Sequence, residues 1–409
     1  MLDQLRSLTK VQRNTLLACL LGWALDAFDF FILVFAVSSI AKDFHAAVTD
    51  VTLAITCTLA LRPVGALAFG WAADRYGRHP TLMVNIVAYS VLELASAGAP
   101  SLRSLIVLRA LYGIAMGGEW GVGAALALES APEEARGMIS GILQQGYALG
   151  YLLAALLFGL FFSFLGWRGM FVVGACPALL VLHIRRNVPE SPVWRKDAAP
   201  PGELGRALRK NVGRFTYMVL LMTAFNLFSH GTQDLYPTFL QAQRHLSPHQ
   251  AGAVAVTYNV GAIVGGLGFG TLSQRIGRRR AIALAAVLAL PMIPLWVLAP
   301  SAVMLAVGAF ALQVMVQGAW GVVPAHLNEL SPGAVRATFP GLAYQLGNLL
   351  AAGTSTLQAR IAEAHGGDYA LALGGMTSAV AVVLAVVTLL GPEAKGTQFA
   401  AQPTQGAAP

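Results

Sequence analysis

Apolar runs of about 20 residues recur along the whole of this 409-residue chain. That is the length a helix needs to cross roughly 30 Å of hydrocarbon. Backbone exposed to lipid must satisfy its own hydrogen bonds, which restricts such runs to helices. Twelve can be placed: 14–40, 49–72, 81–100, 103–131, 136–163, 168–187, 214–240, 249–272, 281–299, 301–330, 335–360 and 368–391. Composition agrees, with 56% hydrophobic and only 11% charged residues, where a soluble domain carries about a quarter charged. The expected fold class is an all-α membrane protein with twelve transmembrane helices.

An even number of crossings puts both termini on one side, and the distribution of Lys and Arg says which. Of 27 Lys+Arg, 20 fall in the termini and even-numbered loops, including eight from Arg185 to Arg214 and four from Arg275 to Arg280. Five fall in the odd loops: Lys42, Arg103, Arg168, Arg244 and Arg360. Both termini are therefore expected in the cytoplasm of a cell whose inner membrane holds the chain. The same asymmetry accounts for the net charge of +8, and no nucleic-acid partner is needed. The first apolar run is too long for a cleavable signal. Cys19, Cys57 and Cys176 all lie in expected spans, without metal spacing or a disulfide framework, and read as small packing residues. Nothing calls for a cofactor.

The chain repeats itself at an offset of 200 residues. Gly70–Arg78 (GWAADRYGR) matches Gly270–Arg278 (GTLSQRIGR), Trp120-Gly121 matches Trp320-Gly321, Glu129 and Arg136 match Glu329 and Arg336, and Gln145 matches Gln345. The repeat predicts two pseudo-symmetric six-helix bundles, residues 1–187 and 214–409, joined by a basic, Pro-containing linker at 188–213. In transporters built from parallel repeats the solute site lies at midplane between the halves.

The pattern G-x-x-x-D-R-x-G-R between the second and third spans resembles the signature of the major facilitator superfamily. Arg109–Gly113 (RALYG) and Pro189–Trp194 (PESPVW) resemble further motifs of that superfamily. The resemblance implies a conformational latch made by Gly70, Asp74, Arg75, Gly77 and Arg78 with Glu129 and Arg136. Gln274 stands where Asp74 would be repeated, so the second copy is expected to be weaker.

Ionisable residues inside spans are costly and are functional candidates by default. Asp26 and Asp29 lie one helical turn apart in the first span, Arg62 in the second and Glu119 in the fourth, each roughly 10–16 residues into its helix and so at similar depth. One cation among three acids predicts an internal ion-pair network, which orients helices or carries protons. Arg62 also has the side chain suited to holding a carboxylate in two-point contact. Glu93 and His183 show no evident partner in the sequence. In the seventh span Asn226, His230, Gln233 and Asp234 fall at i, i+4, i+7 and i+8, on one helical face. Gln145, Tyr344 and Gln345 add neutral polar groups that glue helices or touch solute.

The segment Asn226–Thr238 (NLFSHGTQDLYPT) matches N-x-x-[S/T]-H-x-[S/T]-Q-D-x-x-x-T, and so resembles the lactate/pyruvate:proton symporter branch of the sialate:proton symporters. Trp23–Phe31 (WALDAFDFF) and Leu61–Gly65 (LRPVG) are similar to that family's first two helices. The resemblance implies uptake of a short monocarboxylate with a proton, with His230, Asp234 and Arg62 tied to substrate and proton. The expected substrate-binding set is Arg62, Asn226, His230, Gln233, Gln145, Tyr344 and Gln345. The expected proton-coupling set is Asp234, His230, Asp26, Asp29 and Glu119. The expected partners are a small carboxylate, protons and the bilayer, with one chain sufficing as a monomer. A transporter of a larger acid such as sialate or an aromatic acid is the main rival. A sensor would usually append a soluble signalling domain. An enzyme lacks its motifs here, with no H-E-x-x-H, no G-x-S-x-G and no metal cluster.

Overall fold

A computed structural model describes residues 6, 8–46, 48–194 and 202–399. The middle of the expected linker, 195–201, lies outside the described residues. Among the described residues twelve helices cross the molecule. They are α1 (Lys10–Asp43), α2 (Val48–Tyr76), α3 (Arg78–Ala97), α4 (Leu102–Glu129), α5 (136–165), α6 (167–187), α7 (Val212–Gln243), α8 (Pro248–Ile276), α9 (Arg278–Leu298), α10 (Ala302–Leu330), α11 (Thr338–Leu350, then Thr354–Ala364) and α12 (Tyr369–Leu390). Eleven stretches are long and apolar enough to cross a membrane, and the exception is α11, which is interrupted at 351–353. Leu156, Leu160, Val84, Val303 and Leu390 stand exposed on the outside of the bundle, as a lipid-facing belt requires.

The 200-residue repeat reappears as geometry. At the α2–α4 crossing a Cβ on Gly65 would collide with the Ile114 carbonyl, and at the α8–α10 crossing one on Gly265 would collide with that of Val314. Backbone approach this close leaves no room for a side chain and locks each helix pair in register. Gly77 and Gly277 turn the chain into α3 and α9 with φ of +114° and +97°, values that strain any residue with a Cβ.

Neither glycine can cap the helix it precedes, and the exposed amides are served from elsewhere. The Glu190 carboxylate accepts from the Arg78 and His79 amides at 3.0 and 3.2 Å. Glu393 does the same for Arg278 and Arg279 at 3.0 and 3.1 Å. A carboxylate at a helix N-terminus is doubly favoured, by hydrogen bonds and by the helix dipole. PESPVW is thus in part a cap for α3, and its counterpart Glu393 caps α9.

The halves meet at one end of the bundle, which carries the chain's first described residues and the basic loops and is called here the basic end. Ser140 on α5 donates to the Gly321 carbonyl at 2.7 Å and accepts from the Ala325 amide at 3.0 Å. Gly70 on α2 lies against Thr338 at the head of α11, and Gly121 against Gly341. At the opposite, far end, contacts join elements of one half, as where Arg168 reaches Asp43 at 3.3 Å and the Ala97 carbonyl at 2.8 Å.

Two outcomes follow. Gly65→Leu inserts a side chain into backbone contact, and overpacking costs about 1–3 kcal/mol. The melting temperature of the purified variant in detergent is expected to fall by several degrees, with Gly252→Leu, where a Cβ meets nothing, as the control. For Glu393, burial pushes the carboxyl up, but the Lys395, Arg278 and Arg279 amides outweigh it and hold the group below its ordinary 4.5. A depressed carboxyl stabilises the fold above its unfolded value and loses that contribution as pH falls through the folded value. Glu393→Gln is therefore expected to lower thermal stability at neutral pH, with the gap to the parent closing as pH drops below about 4.5.

Candidate functional site

Between the halves, from mid-depth toward the far end, lies a cavity of about 380 Å³. Its walls come from α1, α2 and α5 on one side and α7, α8, α10 and α11 on the other. The aromatic part of the wall is Trp23, Phe30 and Phe31 from α1, Tyr147 and Tyr151 from α5, and Tyr258, Trp320 and Tyr344 from the second half. Several of these touch one another edge-on, including Phe31 with Tyr151 at 4.8 Å between ring centres.

Arg62 is the cationic side chain of the wall in the first half. It is 4% exposed, and its Nε and Nη2 have no hydrogen-bond partner. Among the described residues no carboxylate lies within ion-pairing distance of it. Pro63 follows it inside α2, and its own carbonyl faces Gly117 across the tight α2–α4 crossing. The backbone beneath Arg62 is thus fixed while its fork is left unsatisfied.

Opposite stands the polar face of α7. Regular helix ends at Gln233, and the chain bends at Asp234 and Leu235 before resuming at Tyr236. Pro237 explains the break, because its ring would clash with the Gln233 carbonyl one turn back. The span expected over 214–240 is found as Val212–Gln243, with this bend inside it. The bend leaves Asp234 capping its own turn, with its amide on the His230 carbonyl at 3.1 Å. His230 Nδ1 lies 3.2 Å from Asp234 Oδ1, and these side chains are 38% and 36% exposed, so both face the cavity.

Ser355, on the second piece of α11, donates to Asp234 Oδ2 at 2.7 Å. Gln233 donates to Ser229 at 3.3 Å and to Gln313 of α10 at 3.2 Å, while Gln313 donates to Thr232 at 3.0 Å. Asn226 lines the wall and donates to the Met222 carbonyl at 2.8 Å.

The structure therefore brings together on one cavity Arg62, Asn226, His230, Gln233, Asp234, Gln145 and Tyr344. It leaves out Gln345, which is 1% exposed, packed off the cavity, with both amide atoms unpartnered. Its repeat-mate Gln145 lines the cavity, a difference set by tertiary packing. Asp26, Asp29 and Glu119 do not reach the cavity either. Each is fully buried behind the wall in the first half, with both carboxylate oxygens unpartnered.

The expected network around Arg62 is also corrected. The direct ion pair inside this half is Arg109 with Glu93, 2.6 Å apart and fully buried, with the Arg109 guanidinium against the rings of Tyr112 and Phe171 at 4.6 and 4.5 Å. Its partner is visible only in three dimensions, since Glu93 and Arg109 sit on successive helices with no telling spacing. A Cβ on Gly174 of α6 would touch both Glu93 and Asp29, at 3.0 and 3.1 Å from their oxygens, so the acids form one cluster. Tyr147, Tyr151, Tyr258 and Ser355 are wall or site residues that spacing does not announce.

At the basic end the latch residues assemble. Asp74 accepts from the Ala337 and Thr338 amides at 3.0 Å each and from the Thr338 hydroxyl at 2.5 Å, tying α2 of the first half to the head of α11. Arg78 bridges Asp74 and Glu129 at 3.1 Å each. Glu129 also accepts from Ser191 and lies 3.6 Å from Arg336 of the second half.

One latch expectation changes. Arg136 is directed to the C-terminal segment, where it donates to the Thr397 carbonyl at 2.7 Å, and it is Arg336 of the second half that stands near Glu129. Arg75 stands at the rim with its guanidinium over Tyr76. In the repeat, Arg278 pairs with Glu329 at 2.8 Å, and Gln274 accepts from the Gly137 amide at 3.1 Å. Gln274 also donates to the Glu133 carbonyl at 2.9 Å, so a neutral amide making two bonds to the first half stands where the Asp74 carboxylate accepts three from the second.

Comparison with known proteins agrees with this architecture. The family model of the Major Facilitator Superfamily matches residues 19–235, and that of Sugar (and other) transporter matches residues 212–396. The chain is 30% identical over 392 residues to the carboxylic acid transporter protein homolog of Saccharomyces cerevisiae, covering 89% of this chain and 64% of that longer protein. It is 31% identical to the probable 4-methylmuconolactone transporter of Cupriavidus pinatubonensis, covering 84% of this chain and 82% of that one. It is 29% identical to the sialic acid transporter NanX of Escherichia coli, covering 82% and 84%. Among solved structures, the proton:xylose symporter XylE superposes with a TM-score of 0.74 at 18% identity over 95% of this chain and 98% of that one, which is a likeness of fold. With a family model spanning more than half its length and relatives across both halves, the chain belongs to the major facilitator superfamily.

Proposed function

We propose that this protein is a proton-coupled symporter of organic monocarboxylates that works by alternating access, with Arg62 holding the carboxylate. The single observation that carries the reading is an unpaired, nearly buried guanidinium in the wall of a cavity of about 380 Å³. A buried charge without a partner is strongly disfavoured, and a carboxylate ligand supplies the partner. Asn226 and Gln233 are placed to meet the acid's hydroxyl or keto oxygen. Lactate and pyruvate are the first candidates, from the match of Asn226–Thr238 to that branch.

The basic end faces the cytoplasm by the charge rule. The bundles are residues 1–187 and 214–409, one chain forms a complete pathway, and the latch of Gly70, Asp74, Gly77, Arg78 and Glu129 holds the cytoplasmic side shut. A proton loads at the His230–Asp234 pair. A substrate anion beside an ionised Asp234 places two negative charges in a low-dielectric cavity. Protonation removes one, so proton and substrate favour the same loaded state and couple by mutual stabilisation.

The buried cluster of Asp26, Asp29, Glu93 and Glu119 holds four acids against two guanidiniums, Arg62 and Arg109. Full ionisation would leave two uncompensated charges inside a half-bundle, so this cluster is a second place where protons reside. A carboxylate arriving at Arg62 shifts the charge balance that Asp26 and Glu119 experience.

The cavity also favours a second reading for the substrate. Its volume equals about a dozen waters at ~30 Å³ each, more than a three-carbon acid fills, and eight of its 24 lining residues are aromatic. A ring-bearing or longer acid would use both features.

In proteoliposomes with an inward proton gradient, accumulation of labelled L-lactate is expected above the no-gradient level, and excess unlabelled acids of increasing size rank the preferred substrate. Failure of every acid to accumulate or compete would sink the reading. Asp234→Asn is expected to abolish the gradient stimulation, and retained gradient-driven accumulation would remove Asp234 from the proton step. Arg62→Gln loses a charged hydrogen bond worth about 1.5–3 kcal/mol, so KM for the transported acid should rise by roughly ten- to hundredfold.

A further inference from the structure

The segment after α12 crosses from one half of the molecule to the other. Glu393 and Lys395 fix its start to the second half: Glu393 caps α9, and the Lys395 ammonium donates to the Arg275 carbonyl at 3.0 Å. The chain then turns, with Gly396 at φ +88° and the Thr397 amide and hydroxyl both on the Ala394 carbonyl at 3.2 and 2.7 Å.

Past the turn it lands on the first half. The Thr397 carbonyl accepts from Arg136, at the head of α5, at 2.7 Å. The Phe399 ring is 7% exposed and belongs to the apolar core of the first half, with Leu8, Ala131 and Ala135. The Arg136 guanidinium lies 3.6 Å from the ring centre, and that of Arg336, at the head of α11 in the second half, lies 4.0 Å from it.

Arg136 and Arg336 are repeat-related, 200 positions apart. One ring from the tail therefore engages the same arginine of both halves. Guanidinium stacks well on aromatic faces, and the ring between them gives two like charges a shared partner. This arrangement exists only while the two helix heads are side by side. Opening the basic end must part α5 from α11, and must break the ring's contact with at least one arginine.

We propose that the segment Lys395–Phe399 is a clasp that holds the basic end shut, with Phe399 as its tooth, and that it must release before the cavity opens to that side. The latch of Asp74 and Arg78 closes the same end through α2 and α11. The clasp is a separate tie, anchored in the second half and seated in the first, and it offers a handle by which anything that captures the tail biases the transporter.

The test is a distance distribution between spin labels on Arg186→Cys and Arg280→Cys, exposed positions of the two halves at this end. The parent has its three native cysteines replaced and is held in lipid nanodiscs without substrate, so the result does not depend on which acid is carried. Phe399→Ala is expected to raise the population of longer, open-end distances by roughly threefold or more, and Phe399→Tyr to leave it at the parent level. A chain ending at Lys395 should behave like Phe399→Ala, and it decides the matter if Phe399→Ala fails to fold. Distributions for Phe399→Ala and the shortened chain that coincide with the parent would overturn the clasp.

Discussion

A charged side chain in hydrocarbon is expensive, and every ionisable group inside this bundle is placed under that constraint. Three solutions are visible. Arg109 and Glu93 pair directly and are closed off by the rings of Tyr112 and Phe171. Asp74, Arg78 and Glu129 form a hydrogen-bonded chain at the membrane's edge, where Asp74 also collects the amides of the opposite half. Arg62 is left incomplete beside the cavity. Among the described residues the other buried arginines hold a carboxylate or a carbonyl, and Arg62 alone lines the cavity with its Nε and Nη2 unpartnered. The reading of a carboxylate site follows from it rather than from the motif alone.

Duplication supplied the scaffold twice, and the differences between copies are where function concentrates. The close crossings at Gly65 and Gly265, the turns at Gly77 and Gly277 and the pairs Arg78–Glu129 and Arg278–Glu329 are shared. The charged interior is not. Asp26, Asp29, Arg62, Glu93, Arg109 and Glu119 correspond at the same offset to Asn226, Ser229, Ala262, Ile293, Ala309 and Ala319. The first half holds charge, and the second holds hydrogen-bonding groups and a broken helix that turns His230 and Asp234 to the cavity. Asp74 and Gln274 differ in the same sense, one tie between the halves being made by a carboxylate and the other by a neutral amide.

Much of this was legible in the residues. Span count, the repeat and the polar face of α7 follow from periodicity, charge placement and fixed spacing, whereas the latch is implied by the resemblance, and the structure gathers Asp74, Arg78 and Glu129 while turning Arg136 to Thr397. What escaped is what depends on tertiary direction. Gln345 is packed off the cavity although its repeat-mate Gln145 lines it, a difference set by tertiary packing. Arg136 meets Thr397 and Phe399 of the returning segment, contacts that span most of the chain and that no local spacing signals. Glu93 gained a role only when α3 and α4 were laid side by side. Pro237 did announce the break in α7, but its consequence, a helix end aimed at the cavity, needed the opposing wall. The aromatic lining could not be told from core packing, because both are written with the same residues.

The most direct measurement is equilibrium binding to the purified protein of a monocarboxylic acid and of its uncharged amide, which differ in charge but hardly in shape. Binding is measured for the parent and for Arg62→Gln by isothermal titration calorimetry. The account predicts that the parent binds the acid at least about tenfold more tightly than the amide, and that Arg62→Gln binds the two alike. If Arg62→Gln still prefers the acid by the parent's margin, some other group holds the carboxylate and the central claim is wrong.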